Sequence, residues 1–280
     1  MTMMKPELLS PAGSMDSLKA AVNSGCDAVY LGGKKFGARA YAGNFDLQEL
    51  EEVCDYCHLR GVKVYVTVNT VYKDEELKEF LVYIKDLYEM GVDALIMQDA
   101  GAAKLVREHF PDFPLHASTQ MTCNSLADVK YWESQGFNKI VLSRELSVEE
   151  IRHITENVDA EIETFVHGAL CVCYSGQCIM SSILGGRSGN RGRCAQTCRL
   201  PYTLYRGTEN MEEGSYADVL IKAKGNFASL YDLDTSLMSL MIVPYAIWKS
   251  ASISFFQSSL SAIAGHSTDA LTRLTALLRT

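Results

Sequence analysis

Short apolar runs alternate with amphipathic stretches through the first two thirds of the chain. The apolar runs read as strands at Glu7–Ser10, Ala28–Leu31, Val62–Asn69, Ala94–Gln98, Leu115–Ser118, Lys139–Ser143 and Glu161–His167. Between them, apolar positions recur at helical spacing over Asp16–Ser24, Leu47–Leu59, Asp74–Met90, Ala102–Phe110, Ser125–Gln135 and Val148–Asn157. Several of these helices follow a Ser, Asp or Asn suited to an N-cap, and Ser147-Val-Glu-Glu150 reads as a capping box. Gly25, Gly61, Gly91 and Gly136 each stand just before a strand, where a helix stop is required.

Strands separated by helices must run parallel, because each return carries a helix. A doubly wound sheet and a TIM-type barrel both satisfy that order. Polar residues gather where the strands finish: Ser10, Asn69, Thr70, Gln98, Asp99, His116, Ser118, Thr119, Arg144, Glu145, Glu163 and His167. In a barrel these converge on the single face that carries active sites. No G-x-G-x-x-G follows the first strand, so the expectation is an α/β, TIM-like (β/α) barrel, left incomplete because no eighth strand is evident.

Composition narrows the classes. With 48% hydrophobic and 21% charged residues the chain supports an ordinary core, and a net charge of −8 removes bulk attraction to nucleic acid. DNA is therefore not expected as a partner, and any RNA contact needs a local basic patch. The N-terminus lacks an apolar signal, and nine cysteines, an odd number, point to reduced thiols in a cytoplasm. From Ser236 to Thr280 only Lys249, Asp269, Arg273 and Arg279 are charged. That composition divides the chain into a domain over 1–235 and a divergent tail over 236–280. Leu237–Trp248 is too short to span a bilayer, so the tail reads as a weakly specified end rather than an anchor.

Five cysteines crowd into Cys171–Cys198. Cys171, Cys178, Cys194 and Cys198 are spaced C-x6-C-x15-C-x3-C, with Cys173 as an extra thiol. Four thiolates can complete a tetrahedral zinc or hold an iron–sulfur cubane, and the wide spacing lacks the C-x2-C pairs of compact zinc ribbons. No Asp or Glu occurs between Glu163 and Glu209, whereas Arg187, Arg191, Arg193, Arg199 and Arg206 do. That charge suits a buried anionic cluster or phosphate contacts, and an exposed basic loop over free thiols is the plainer alternative. Cys26, Cys54, Cys57 and Cys123 read as core thiols.

Alternation along the seventh strand puts Glu163, Phe165 and His167 on one side and Ile162, Thr164 and Val166 on the other. The second set suits helix packing, so Glu163 and His167 are expected in the lumen, either for general acid–base work or as a hydrogen-bonded structural pair. His116 and Asp99 stand at comparable height. Arg144 can clamp a carboxylate or phosphate, or pair at the rim with Glu145 or Asp99. H-E-x-x-H and G-x-S-x-G are missing; a Cys–His pair stays open but leaves four gathered cysteines unexplained.

The stretch from Glu163 to Ser181 also resembles the signature of the collagenase-like peptidases, peptidase family U32, at Glu163, Phe165, Gly168, Ala169, Leu170, Cys171, Gly176, Cys178, Met180 and Ser181. Glu7–Gly13, Gln98-Asp99, His116–Gln120, Ser143–Glu145 and Arg191–Cys194 are similar to the family as well. The resemblance covers roughly residues 6–235. It implies one of three roles: an oxygen-independent hydroxylation factor for tRNA, other RNA or quinone precursors; a collagenase-like protease; or a non-catalytic, cluster-bearing partner subunit. For the first role it implies a [4Fe-4S] cluster on Cys171, Cys178 and Cys194, with Cys198 as fourth ligand, and prephenate as hydroxyl donor. Glu163, His167, His116 and Arg144 would then position substrate or donor, and Arg187, Arg191 and Arg193 would meet RNA. The family's charged strand after Asp234 is missing, as a truncated or frame-shifted reading frame would produce.

Overall fold

The computed structural model describes residues 6–166, 171 and 173–199, with the backbone of two short strands at 205–206 and 209–210. His167 and the tail over 236–280 lie outside the described residues. Seven strands and seven α-helices follow one another: β1 (Leu9–Pro11), α1 (Met15–Asn23), β2 (Ala28–Gly32), α2 (Leu47–His58), β3 (Lys63–Val68), α3 (Asp74–Glu89) and β4 (Ala94–Met97). The order continues with α4 (Ala100–His109), β5 (Leu115–Ala117), α5 (Leu126–Ser134), β6 (Lys139–Val141), α6 (Val148–Thr155), β7 (Glu161–Glu163) and α7 (Met180–Gly185). A small antiparallel hairpin, β8 (Tyr205–Arg206) and β9 (Glu209–Asn210), is a further element that hydrophobic patterning missed.

The helix ends are built as their sequences require. Ser14, Asp46, Ser125 and Ser147 each cap a helix, and the third helical residue returns a bond to the cap's N–H. Gly25, Gly61, Gly91 and Gly136 all adopt positive φ, the left-handed stop that a side chain would strain.

β1 to β7 pair in chain order, every pair parallel. Curvature follows from one ion pair. Were the sheet flat, β1 and β6 would stand about 24 Å apart, five spacings of roughly 4.8 Å. Yet Lys139 Nζ, on β6, lies 2.6 Å from Glu7 Oε1, just before β1. The sheet therefore curls upon itself as a TIM-like barrel, with β1 and β7 unpaired to each other among the described residues.

Alternation sorts the side chains. Val29, Leu31, Val64, Val66, Leu95, Met97, Leu115, Ala117 and Ile140 face the helices and join one large core with Leu18, Leu50, Phe80, Ile84 and Ile154. Full burial of each large side chain contributes about 1.5–3 kcal/mol before entropy is counted. Ala28, Tyr65, Ala94 and Ile96, flanked by Leu9 and Tyr30, form a second, separate cluster inside the curl. Ile162 packs on the outer core as its parity requires, whereas Val166 is exposed. β7 also stops at Glu163, so a strand extending to residue 167 is not observed.

At the floor of the lumen Glu7 takes four bonds: from Lys139, from Lys63 Nζ at 3.0 Å, and from the Tyr65 hydroxyl to both oxygens at 2.8 and 2.9 Å. Glu161 adds a second contact to Lys139 at 3.1 Å. Burial opposes ionisation of Glu7, but bonds from Lys139, Lys63 and Tyr65 outweigh it and hold its carboxyl at about 2. Among the described residues no helix is long and apolar enough to cross a membrane.

Candidate functional site

The strands' C-terminal ends open onto one mouth, and the loops there are tied by their own polar residues. Asn69 accepts from the Ala38 N–H and donates to Ser118 Oγ. Thr70 Oγ1 donates to the Phe36 carbonyl. Asp99, at the height expected of a site residue, is spent on structure: it caps α4 through the Ala102 N–H and receives the Tyr72 N–H.

The cysteine-bearing segment crosses this mouth and is bolted down at both ends. On the β5–β6 side, Ser175 is buried, its N–H and hydroxyl both donate to Glu145 Oε1, and its carbonyl accepts from Thr122 Oγ1 at 2.7 Å. Gly176, at positive φ, packs so close that a Cβ would collide with the Gln120 carbonyl. On the β2–β3 side, Val71 N–H donates to the Asn190 carbonyl and Ala40 N–H to that of Gly192. Gly192 again leaves no room for a Cβ against the Gly37 carbonyl.

Arg191 completes this second anchorage. Its two terminal nitrogens each lie 2.7 Å from a different Glu76 oxygen, and Nη1 also reaches the Val71 carbonyl at 2.9 Å. The bidentate pair holds the Glu76 carboxyl down at about 2. Arg191 was expected to meet RNA or another anion; its guanidinium is instead a strut between the cysteine segment and the first turn of α3. Glu76 and Ser175, the partners that make these anchorages, carry no sequence motif that marks them.

Cys26, Cys54, Cys57, Cys123, Cys171, Cys173, Cys178 and Cys194 are free thiols. Cys26, Cys54, Cys57 and Cys123 are buried core thiols, as expected, and burial pushes Cys54 and Cys123 up to about 12. The five in the segment are exposed or half-buried. Cys173 neighbours the Cys178 thiol, and burial followed by that neighbour raises it. A Cβ on Gly189 would touch both the Cys178 carbonyl and Cys194 Cβ at 3.8 Å, which brings those two ends of the segment together. Cys194 Sγ accepts from the Gln196 N–H at 3.4 Å and from Ser181 Oγ at 3.9 Å. Soft, unbridged thiols with N–H and O–H donors aimed at one sulfur suit an iron–sulfur or zinc donor set. Among the described residues, no three His, Cys, Asp or Glu side chains converge as a metal site.

Below the segment, two predicted residues meet the same charges. His116 is 5% exposed, its ring edge-on to Tyr65 with centroids 4.6 Å apart, and its Nδ1 has no hydrogen-bond partner among the described residues. Burial pushes its imidazole down to about 3, Lys139 adds to the fall and Glu7 opposes it. Glu163 lies opposite Val141, partly exposed as a residue but with Oε2 sealed and unpartnered among the described residues. Burial raises its carboxyl to about 7, against the pull of Lys139 and with the push of Glu7. Near neutral pH the site thus holds an uncharged imidazole and a carboxyl poised to keep or lose its proton.

Arg144 stands above them, its guanidinium carbon 5.8 Å from the Phe165 ring centroid and its Nε 3.4 Å from Ser175 Oγ. Arg187 lies over the Tyr41 ring at 4.5 Å, and Arg193 is exposed. Gln98 Oε1 and Ser143 Oγ, near the ends of β4 and β6, are also buried without a hydrogen-bond partner among the described residues.

Comparison with known proteins agrees with this architecture. The chain is 44% identical over 209 residues to "tRNA hydroxylation protein P" of Escherichia coli strain K12, covering 74% of this chain and 46% of the relative. It is 49% identical over 198 residues to "23S rRNA 5-hydroxycytidine C2501 synthase" of the same strain, covering 71% of this chain and 30% of the relative. A "Collagenase" of Porphyromonas gingivalis is 35% identical over 210 residues, covering 71% and 50%. The chain thus spans half or less of these relatives' lengths. The solved structure of the U32 peptidase Mk0906 superimposes with a TM-score of 0.51 at 18% identity, over 59% of this chain and 70% of that one, which supports the barrel. The family model described as "Peptidase family U32" matches residues 13–247, from the loop after β1 to beyond the cysteine segment. Strands β2 to β7, the mouth and the cysteine segment all fall within that match, and the chain belongs to peptidase family U32.

Proposed function

We propose that this chain is an iron–sulfur-dependent, oxygen-independent hydroxylation factor acting on tRNA or another RNA. One observation carries the reading: the cysteine-bearing segment is anchored across the barrel mouth, over a lumen whose buried acid and imidazole lack hydrogen-bond partners among the described residues at Glu163 Oε2 and His116 Nδ1. The names of the two Escherichia coli relatives support the substrate class. Cys171, Cys178, Cys194 and Cys198 would hold the cluster, which supplies one-electron transfer when bound.

The chain's own residues do the rest. Glu163, its carboxyl raised to about 7, is about half protonated near neutral pH and can donate a proton to, or accept one from, a group entering the lumen. Neutral His116 offers Nδ1 to the same group. Arg144, half-buried at the rim beside Phe165, suits an anionic portion of substrate or donor; a carboxylate donor of the prephenate type fits that charge.

Nucleoside mass spectrometry of tRNA and rRNA from a deletion strain tests the reading. A hydroxylated pyrimidine should vanish, return with the wild-type gene and stay absent with Cys178→Ala. RNA nucleosides unchanged by the deletion would overturn the assignment. Anaerobically purified protein should carry iron and sulfide, both lost in a Cys171→Ala/Cys178→Ala variant.

A further inference from the structure

Tyr41 lies in the loop between β2 and α2 and keeps 63% of its surface exposed. Such exposure is unusual for an aromatic residue whose loop is otherwise well tied. The Asn44 side chain donates to the Arg39 carbonyl, Ala42 N–H to the same carbonyl, and Ala40 N–H to Gly192 of the cysteine segment. The tyrosine is thus held on a fixed support beside the site.

Two guanidinium groups converge on it. Arg187 lies over its ring at 4.5 Å, and the buried Arg187 Nε has no hydrogen-bond partner among the described residues. Arg193 stands near the phenol oxygen, and together the two cations lower the phenol's pKa, Arg193 first. With Arg187 on the ring and most of the side chain still exposed, area remains for a flat ligand. In a chain of net charge −8, this is a local cationic and aromatic surface built from two separate segments.

We propose that Tyr41, with Arg187 and Arg193, forms a platform for single-stranded RNA at the barrel mouth, an unpaired base stacking on the ring and the guanidinium groups meeting the flanking phosphates. This deepens the RNA reading above and rests on it. Aromatic faces accept any base, while arginines add the salt-dependent backbone contact. Duplex RNA, whose bases are already stacked, cannot offer a free face to the ring. Arg191 takes no part, since Glu76 occupies it.

Fluorescence anisotropy with the full chain, purified anaerobically, tests the platform using a labelled 12-nucleotide single-stranded RNA and its duplex. Wild type should prefer the single strand. Tyr41→Ala should weaken it about tenfold and Tyr41→Phe less than threefold, the phenyl ring being sufficient for stacking. Arg187→Ala and Arg193→Ala should each reduce the slope of log affinity against log salt by about 0.7. An unchanged thermal midpoint checks that Tyr41→Ala folds. Equal affinity of Tyr41→Ala and wild type, or equal binding of duplex and single strand, overturns the platform. So does failure of the wild type to bind either probe while the deletion strain still loses a hydroxylated nucleoside; the hydroxylation reading then stands without this surface.

Discussion

Glu163 and His116 are opposite titrations in one lumen, so their effects on stability run in opposite directions. Glu163 has a folded pKa near 7, above the ordinary carboxyl value. The folded state therefore binds more protons than the unfolded chain between about pH 4.5 and 7, and stability falls as pH rises through that window, by on the order of 2–3 kcal/mol. Because His116 opposes this slope in the same range, it is read in a His116→Asn background: there, urea midpoints measured at pH 5.5 and 8 should diverge with Glu163 in place and converge when Glu163→Gln is added. His116 behaves inversely, because its folded pKa of about 3 lies below the free value. Its unfolded form takes the proton first, so stability is lost as pH falls below about 6.5, by roughly 2 kcal/mol at pH 5. His116→Asn should flatten that acid limb, and an unchanged limb would mean that the imidazole is solvated in solution. Strand parity made the inward aim of Glu163 legible, since Ile162 and its neighbours suit helix packing. The direction of its pKa was not legible, because Lys139 and Glu7 come from elements 24 and 156 positions away and only folding brings them near. Tyr41 escaped for a related reason: a lone tyrosine in a polar loop has no periodicity, and its arginine partners lie about 150 residues onward.

Among elements, the cysteine segment is the one whose structure the sequence signalled least. Cysteine spacing and the run of arginines marked its chemistry, but not that it would be fastened to the loops after β2, β3, β5 and β6. Fastening depends on close backbone approach at Gly176 and Gly192 and on single long-range pairs, none of which is periodic. The barrel helices, by contrast, declared themselves through 3.6-residue spacing, capping boxes and glycine stops, and the observed ends fall within two residues of those expected. Arg191 and Glu76 give the segment a measurable hinge point. Their pair is part-exposed, at 33% and 28%, but bidentate, so a double-mutant cycle with Arg191→Ala and Glu76→Ala should give a coupling of about 1 kcal/mol. Amide exchange over residues 186–194 should quicken in either single variant while α1 to α6 keep their protection. Uniform loss of protection would show instead that the segment and barrel unfold as one unit.

For the whole molecule, parallel order could be read from the alternation of elements, but a closed curl and an open sheet share that alternation, and converging polar strand ends only favoured the barrel. Glu7 and Lys139 settle it in three dimensions, joining residues 132 positions apart across the lumen floor. Lys139 is only 7% exposed and is offset by Glu7 and Glu161, whereas Glu7 holds Lys63 and the Tyr65 hydroxyl as well. Removing the lysine leaves its partner carboxylate facing a lumen lined by Ala28, Tyr65, Ala94 and Ile96. Lys139→Met should therefore destabilise the protein by about 2 kcal/mol, because the half-buried carboxylate keeps Lys63 and Tyr65 but loses the shorter of its two cation contacts. If so, adding Glu7→Gln to Lys139→Met should cost less than the two single variants predict together, because both changes remove the same Glu7–Lys139 contact. Urea unfolding at pH 7 reads both quantities. Additive effects, or a loss under 1 kcal/mol for Lys139→Met, would mean that strand pairing alone maintains the curl and that the floor network only decorates it.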